Sequence, residues 1–232
     1  IKSSAASDVY KRQEVADPRL TLILSQSQAW VKGEDSDAVR WKGVPNGVPV
    51  TELSLEEYDN NHNSGIWGYM WGYDWNSAEK GDNISKPKTD ADFTPLGLMN
   101  YSEVCFLKAE AALRGWQGAG DAKTNYENGI RASFEEMRAN APKDSYSKSN
   151  DDKYISEGNV AWNNADSFEA KLEKIITQKW IGIYPNSEEA WAEFRRTGYP
   201  KLNPVKQSLE PTINPKNGEF IKKLRYVDNE SV

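Results

Sequence analysis

Trp67, Tyr69, Trp71, Tyr73 and Trp75 alternate with non-aromatic residues inside Ile66–Trp75. In an extended segment alternate side chains share one face, so all five rings would project to the same side. Gly68 and Gly72 disfavour a helix over this stretch. Flat rings match the apolar C–H faces of sugars, and the Trp N–H and Tyr O–H add polar handles. Such a row is suited to follow a polysaccharide. The competing reading is that the same rings turn inward and hold a loop-rich region together, as aromatic side chains commonly do.

Other reactive residue types are sparse or scattered. His62 is the only histidine and sits among polar loop residues, with no nucleophile elbow in the chain. One His and one Cys make no typical zinc site. Glycoside hydrolysis needs two carboxylates at a fixed separation. Glu56, Glu57, Asp90 and Asp92 are available, but surface acids are too numerous for any pair to stand out. Asp35, Asp37, Asp59, Asp82, Asp90 and Asp92 offer oxygen ligands for calcium without EF-hand spacing. Arg195 and Arg196 suit phosphate. They also suit the C-terminal end of a helix, where cations meet the dipole and nearby acids. The chain is read as a binding protein with no catalytic residues, no cofactor and no metal.

Two dense helical signatures must position whatever binds. In Asn100–Met137, Asn100 and Glu103 have capping-box spacing. Tyr101, Val104, Cys105, Lys108, Ala111 and Ala112 then recur at helical intervals, and Cys105 is expected as a buried thiol. Gly115 ends that helix and Gln117–Gly120 turns the chain. Asp121 caps a second helix with the stripe Ala122, Tyr126, Ile130, Phe134 and Met137. Gly129, costly inside a helix, is expected to meet Ala109 and Ala112 closely. The pair reads as one tetratricopeptide-like hairpin, with an apolar side left without a partner.

The second signature lies in Ile176–Pro200 and the residues just before it. Phe168, Leu172, Ile175, Ile176 and Ile183 predict a helix over 167–183, capped by Asp166 or Ser167. Pro185 and Asn186 break it, and Ser187 begins a short helix with acids first and Arg195 and Arg196 last. Gly198 and Pro200 stop that helix. Trp116, Trp162, Trp180 and Trp191 lie in or near these helices and are expected to pack. A short helix is predicted around Leu20–Trp30. Residues 31–100, 138–165 and 201–220 read as irregular or polar connections.

The string AEAALRG at 109–115, the pattern GDA…Y…GIRASF at 120–134 and ITQKWIGIYPNSEEAWAEFRRTGYP at 176–200 come in order. Together with Asp17–Leu20 they resemble the C-terminal half of SusD/RagB-type nutrient-binding outer-membrane lipoproteins of Bacteroidetes. The resemblance runs from about Asp17 to Tyr226. It implies a mostly helical fold with tetratricopeptide-like hairpins and an irregular region that carries the ligand site. It also implies capture of oligosaccharides, or sometimes peptides, and transfer to a SusC-type TonB-dependent transporter. Surface localisation at the outer membrane would rest on an N-terminal lipid anchor.

The family's signal peptide, lipobox cysteine and preceding helices find no match here. Residues 14–232 are therefore expected to be the C-terminal part of one SusD-like domain. Ser3–Gln13 resembles a translated sequencing-adapter tract, so residues 1–13 are set aside as a non-native or polar tail. The 29 Lys and Arg against 35 Asp and Glu, all dispersed, disfavour nucleic acid. No apolar run approaches the roughly 18–20 residues of a membrane span. The alternative function is a helical-repeat module that binds a protein partner and no sugar.

Overall fold

The computed structural model describes residues 16–24, 26–36, 40–59, 61–64, 97–139, 146–208 and 213–223. Seven α-helices lie among them: α1 (Leu20–Ile23), α2 (Gln28–Lys32), α3 (Tyr101–Leu113), α4 (Ala122–Ala139), α5 (Asp151–Ser156), α6 (Phe168–Gly182) and α7 (Ser187–Thr197). Short 3-10 turns occupy Val50–Glu52, Glu56–Tyr58 and Pro215–Asn217, and no strand occurs among the described residues.

α3 and α4 form the expected hairpin, and α6 packs on both. The turn between them is sharp because Gly115, Gly118 and Gly120 all take positive φ, which other residues rarely adopt. The backbone N–H of Thr124 donates to the Asp121 carboxylate at 2.7 Å, so Asp121 caps α4. Ser167 caps α6, accepting from the Ala170 N–H at 3.2 Å. Asn186 caps α7, accepting from the Glu189 N–H at 3.2 Å. Gly198 closes α7 in the left-handed region at φ 76°.

Packing corrects four details of the sequence reading. First, the buried face of α3 carries Ser102, Glu103, Cys105, Phe106, Ala109 and Glu110. Tyr101 and Lys108 are exposed and Val104, Ala111 and Ala112 only half-buried, so the expected stripe faces outward except at Cys105; Leu107, beside it, is also exposed. α3 is apolar or small on both sides, and spacing alone cannot choose between two such faces. Second, Asn100 makes no side-chain cap; the Ser102 N–H instead donates to Glu136 of α4 at 2.9 Å. Third, Gly129 lies against the ring of Phe106, where a Cβ would come within 2.6 Å of Cε1. Fourth, residues 138–165 contain α5, which buries Tyr154 and Ile155.

The predicted helix around Leu20–Trp30 is two short helices separated by extended backbone at Leu24 and Ser27. Trp116 is 68% exposed and does not pack. Trp180 is buried, and Trp162 lies against Tyr126 with ring centroids 5.4 Å apart. The α4 stripe of Tyr126, Ile130, Phe134 and Met137 is buried as expected, as is Cys105. Of the predicted α6 stripe, Leu172, Ile175, Ile176 and Ile183 are buried, whereas Phe168 at the start is 40% exposed.

Two apolar clusters result. Phe106, Tyr126, Ile130, Phe134, Tyr154 and Ile175 join α3, α4, α5 and α6. Ile23, Leu24, Met137, Trp180, Tyr184 and Ala190 join the segment around α1 to α4, α6 and α7. Trp41 and Leu202, from the irregular segments, pack against the second cluster.

Candidate functional site

The candidate row Trp67, Tyr69, Trp71, Tyr73 and Trp75 lies outside the described residues, as do Asp37, Asp82, Asp90 and Asp92. The structure describes the scaffold that delivers the chain to this row. Its base is a buried guanidinium. Arg19 is wholly buried, and its Nε and Nη2 donate to the two carboxylate oxygens of Asp17 at 2.9 and 2.7 Å. The same guanidinium donates to Ser133 of α4, Tyr154 of α5 and Gln178 of α6 at 2.9, 3.0 and 2.6 Å. Tyr154 Oη in turn donates to Asp17 at 2.7 Å. The fork geometry of arginine allows one side chain to tie three helices to the segment before α1.

From that base, backbone hydrogen bonds fix the irregular chain. The Ser27 N–H donates to the Arg40 carbonyl at 3.0 Å and the Ala29 N–H to the Asn61 carbonyl at 2.8 Å. The Ser64 N–H donates to the Lys42 carbonyl, and its hydroxyl to the Arg40 carbonyl at 3.2 Å. Asn63 Nδ2 spans the Glu57 and Asp59 carbonyls at 3.1 and 2.8 Å. Arg40 stacks over Trp30 at 4.2 Å and over Trp41 at 5.4 Å. The chain is thus held through Ser64, three residues before the aromatic row begins.

His62 is part of this anchor. Its Nδ1 lies 2.8 Å from Asp59, 16% of its side chain is exposed, and the Asp59 carboxylate also accepts from the Asn61 and His62 N–H groups. Burial pushes the Asp59 carboxyl up, but the hydrogen bonds from His62 outweigh it and hold the group below its usual value.

Other buried charges serve packing. Lys179 on α6 donates to Glu189 and Glu193 of α7 at 2.7 and 2.8 Å and lies 3.6 Å from Glu103 of α3. Burial would lower its pKa, yet these carboxylates raise it. Burial raises Glu103, the most weakly paired acid of the set. Arg196 donates through both Nη atoms to Glu110 of α3, each at 2.7 Å. Burial pushes Glu110 up, but Arg196 and Arg114 overcome it and hold the carboxyl low. Arg195 stacks on Trp191 at 4.4 Å. The structural reading of Arg195 and Arg196 therefore holds: they sit at the end of α7, and Arg196 clamps it to α3. Among the described residues, no group of three or more His, Cys, Asp or Glu is arranged to hold a metal ion.

No local pattern announces the Arg19 and Lys179 networks. Their partners lie up to 159 positions apart in the chain, and only Asp17–Leu20, noted as a family match, pointed at one of them.

A match to the family described as SusD-like, "Susd and RagB outer membrane lipoprotein", covers residues 52–232. The chain belongs to this family. Among solved structures, a SusD-like protein from Bacteroides thetaiotaomicron is 26% identical with a TM-score of 0.59, covering 98% of this chain and 43% of that one. A SusD homologue from Bacteroides ovatus is 29% identical with a TM-score of 0.55, covering 88% and 39%. A chitin-binding SusD homologue from Flavobacterium johnsoniae is 37% identical over 57% of this chain and 30% of that chain, with a TM-score of 0.49. The chain thus spans less than half the length of these relatives. Curated proteins provide no match. No described helix is long and apolar enough to cross a membrane.

Proposed function

We propose that the chain is the ligand-holding C-terminal part of a surface lipoprotein that captures oligosaccharides without cleaving them. In this reading the captured glycan passes to a SusC-type TonB-dependent transporter, and a lipid anchor elsewhere in the protein provides the only membrane attachment. The observation that carries the reading is membership of an outer membrane lipoprotein family over residues 52–232. The ligand class rests on the chemistry of Trp67, Tyr69, Trp71, Tyr73 and Trp75, whose alternation suits stacking on successive sugar rings. Buried acids such as Asp17, Glu110 and Glu193 are bound to arginine or lysine, which fits capture better than acid–base chemistry.

The test is affinity electrophoresis of the whole protein through gels containing individual polysaccharides, followed by a reducing-end assay on the best ligand. Retardation without new reducing ends is expected. Product that survives purification controls and vanishes on one Asp or Glu substitution would refute the non-catalytic part.

One observation favours the alternative protein-binding reading. Tyr101, Val104, Leu107 and Ala111 present an apolar stripe on the outward side of α3, beside exposed Leu98 and Met99. Absence of retardation in every polysaccharide gel, together with stoichiometric capture of a protein partner that is abolished by Leu107→Glu, would favour that reading.

A further inference from the structure

We propose that a cleft on the helical frame, lined by none of the aromatic-row residues, is a second sugar subsite that takes a single uncharged pyranose ring. The proposal rests on the glycan-capture reading and extends it to residues that reading does not use. The cleft has a volume of about 310 Å³ and lies between α6, the loop before it and the Pro200–Lys201 corner. That is the lower end of the size range for small-ligand sites.

Ala170, Glu173 and Thr177 follow one another at spacings of three and four, so they share one face of α6. Ala170 is small and leaves room at the N-terminal end of that wall. Val160 and Pro200 are apolar residues of the lining, both largely buried.

Most polar groups around the cleft are already committed. Tyr126 Oη donates to the Val160 carbonyl at 2.7 Å. Gln178 is held by Arg19 and donates to Tyr154. Lys174 donates to the Ala161 carbonyl at 2.6 Å and pairs with Asp166 at 2.8 Å. Among the described residues the half-buried side chains of Glu173 and Thr177 find no hydrogen-bond or ion-pair partner, and both line the cleft. A carboxylate beside a hydroxyl is a pair of acceptors and one donor, the complement of neighbouring sugar hydroxyls.

Charge selects against ionic ligands. An alkylammonium would approach Lys174 and Lys201, and an anion would approach Glu173. A neutral ring rich in hydroxyls hydrogen-bonds to Glu173 and Thr177 and brings no further charge into the cleft.

The experiment is saturation-transfer NMR on the whole protein with methyl glycosides of glucose, galactose, mannose and N-acetylglucosamine, with butylamine and acetate as ionic probes. Four proteins are compared: the parent, Ala170→Trp to fill the cleft, Glu173→Gln, and a triple Trp67→Ala, Trp71→Ala, Trp75→Ala variant. Circular dichroism checks that each is folded. At least one glycoside should bind the parent and the triple variant alike, bind Glu173→Gln roughly tenfold more weakly, and not bind Ala170→Trp. Glu173→Gln keeps the test decisive if Ala170→Trp fails to fold. Glycoside binding unaffected by Glu173→Gln and by a folded Ala170→Trp overturns the subsite while leaving glycan capture intact. Stronger binding of butylamine or acetate than of any glycoside overturns the ligand class. Polysaccharide retardation of the parent with no glycoside signal overturns the subsite alone, and loss of both overturns it together with the capture reading.

Discussion

Replacing Arg19 with Met removes a charge that is fully buried, and the structure sets the size of the effect. The guanidinium donates to Asp17, Ser133, Tyr154 and Gln178 and lies 5.3 Å from the centre of the Phe134 ring. Met fills a similar volume, so the cost is mainly electrostatic. Asp17 would keep the Tyr154 hydroxyl and the backbone N–H of residue 19 but lose its only cation among the described residues. Breaking a buried pair from one side costs about 3–5 kcal/mol. That is a large share of the roughly 5–15 kcal/mol that holds a typical domain folded. Removing both charges with Asp17→Asn and Arg19→Met should cost less than the sum of the single changes by about 1–3 kcal/mol, because the two residues act as one unit. Urea unfolding of the two single variants and the double variant measures this. A loss below about 1 kcal/mol for Arg19→Met, or strict additivity in the double variant, would refute the view that this guanidinium pins the segment before α1 to the frame.

Three further outcomes follow from the packing. Gly129→Ala should destabilise by roughly 1–2 kcal/mol, the overpacking against Phe106 exceeding the gain in helix propensity; in a Phe106→Leu background the same change should become neutral or stabilising, read from paired melting curves. Glu110 is held low in the folded state, so its contribution is present above the ordinary glutamate value and is lost as pH falls through the lowered one. Glu110→Gln should therefore cost about 1–2 kcal/mol near neutrality, allowing for solvent around Arg196, and flatten the acid side of a stability–pH curve; an unchanged acid limb would count against it. Exposed apolar surface on α3 predicts binding of a hydrophobic dye by the native protein, reduced by Tyr101→Gln with Leu107→Gln and without loss of melting temperature.

The helices were legible where a single apolar stripe met a good cap. α4 and α6 combine Tyr126, Ile130, Phe134 or Leu172, Ile175, Ile176 with Asp121 or Ser167, and both form as read. α3 was legible as a helix but not in its orientation, because its outer side is as apolar as its inner one. α5 was missed: six residues with only Tyr154 and Ile155 apolar carry too little periodicity, and the helix depends on tertiary burial beside Phe134. The buried cations were illegible for a related reason. A charged residue reads as surface until its partners are known; Arg19 draws on three helices distant in sequence, and Lys179 on the helix that follows it and on remote Glu103. The aromatic row was legible as chemistry; whether its rings face ligand or core depends on tertiary placement, which alternation does not encode.

The most direct test of glycan capture measures affinity and unfolding together on Trp67→Ala, Trp71→Ala and Trp75→Ala in the whole protein. If the rings stack on sugar, each change should weaken binding of the best polysaccharide by about 1–3 kcal/mol, or roughly 5- to 150-fold, with melting temperature close to the parent. Unchanged affinity of the folded fraction, with about 3–5 kcal/mol of stability lost per ring, would contradict the account and make the row part of the core.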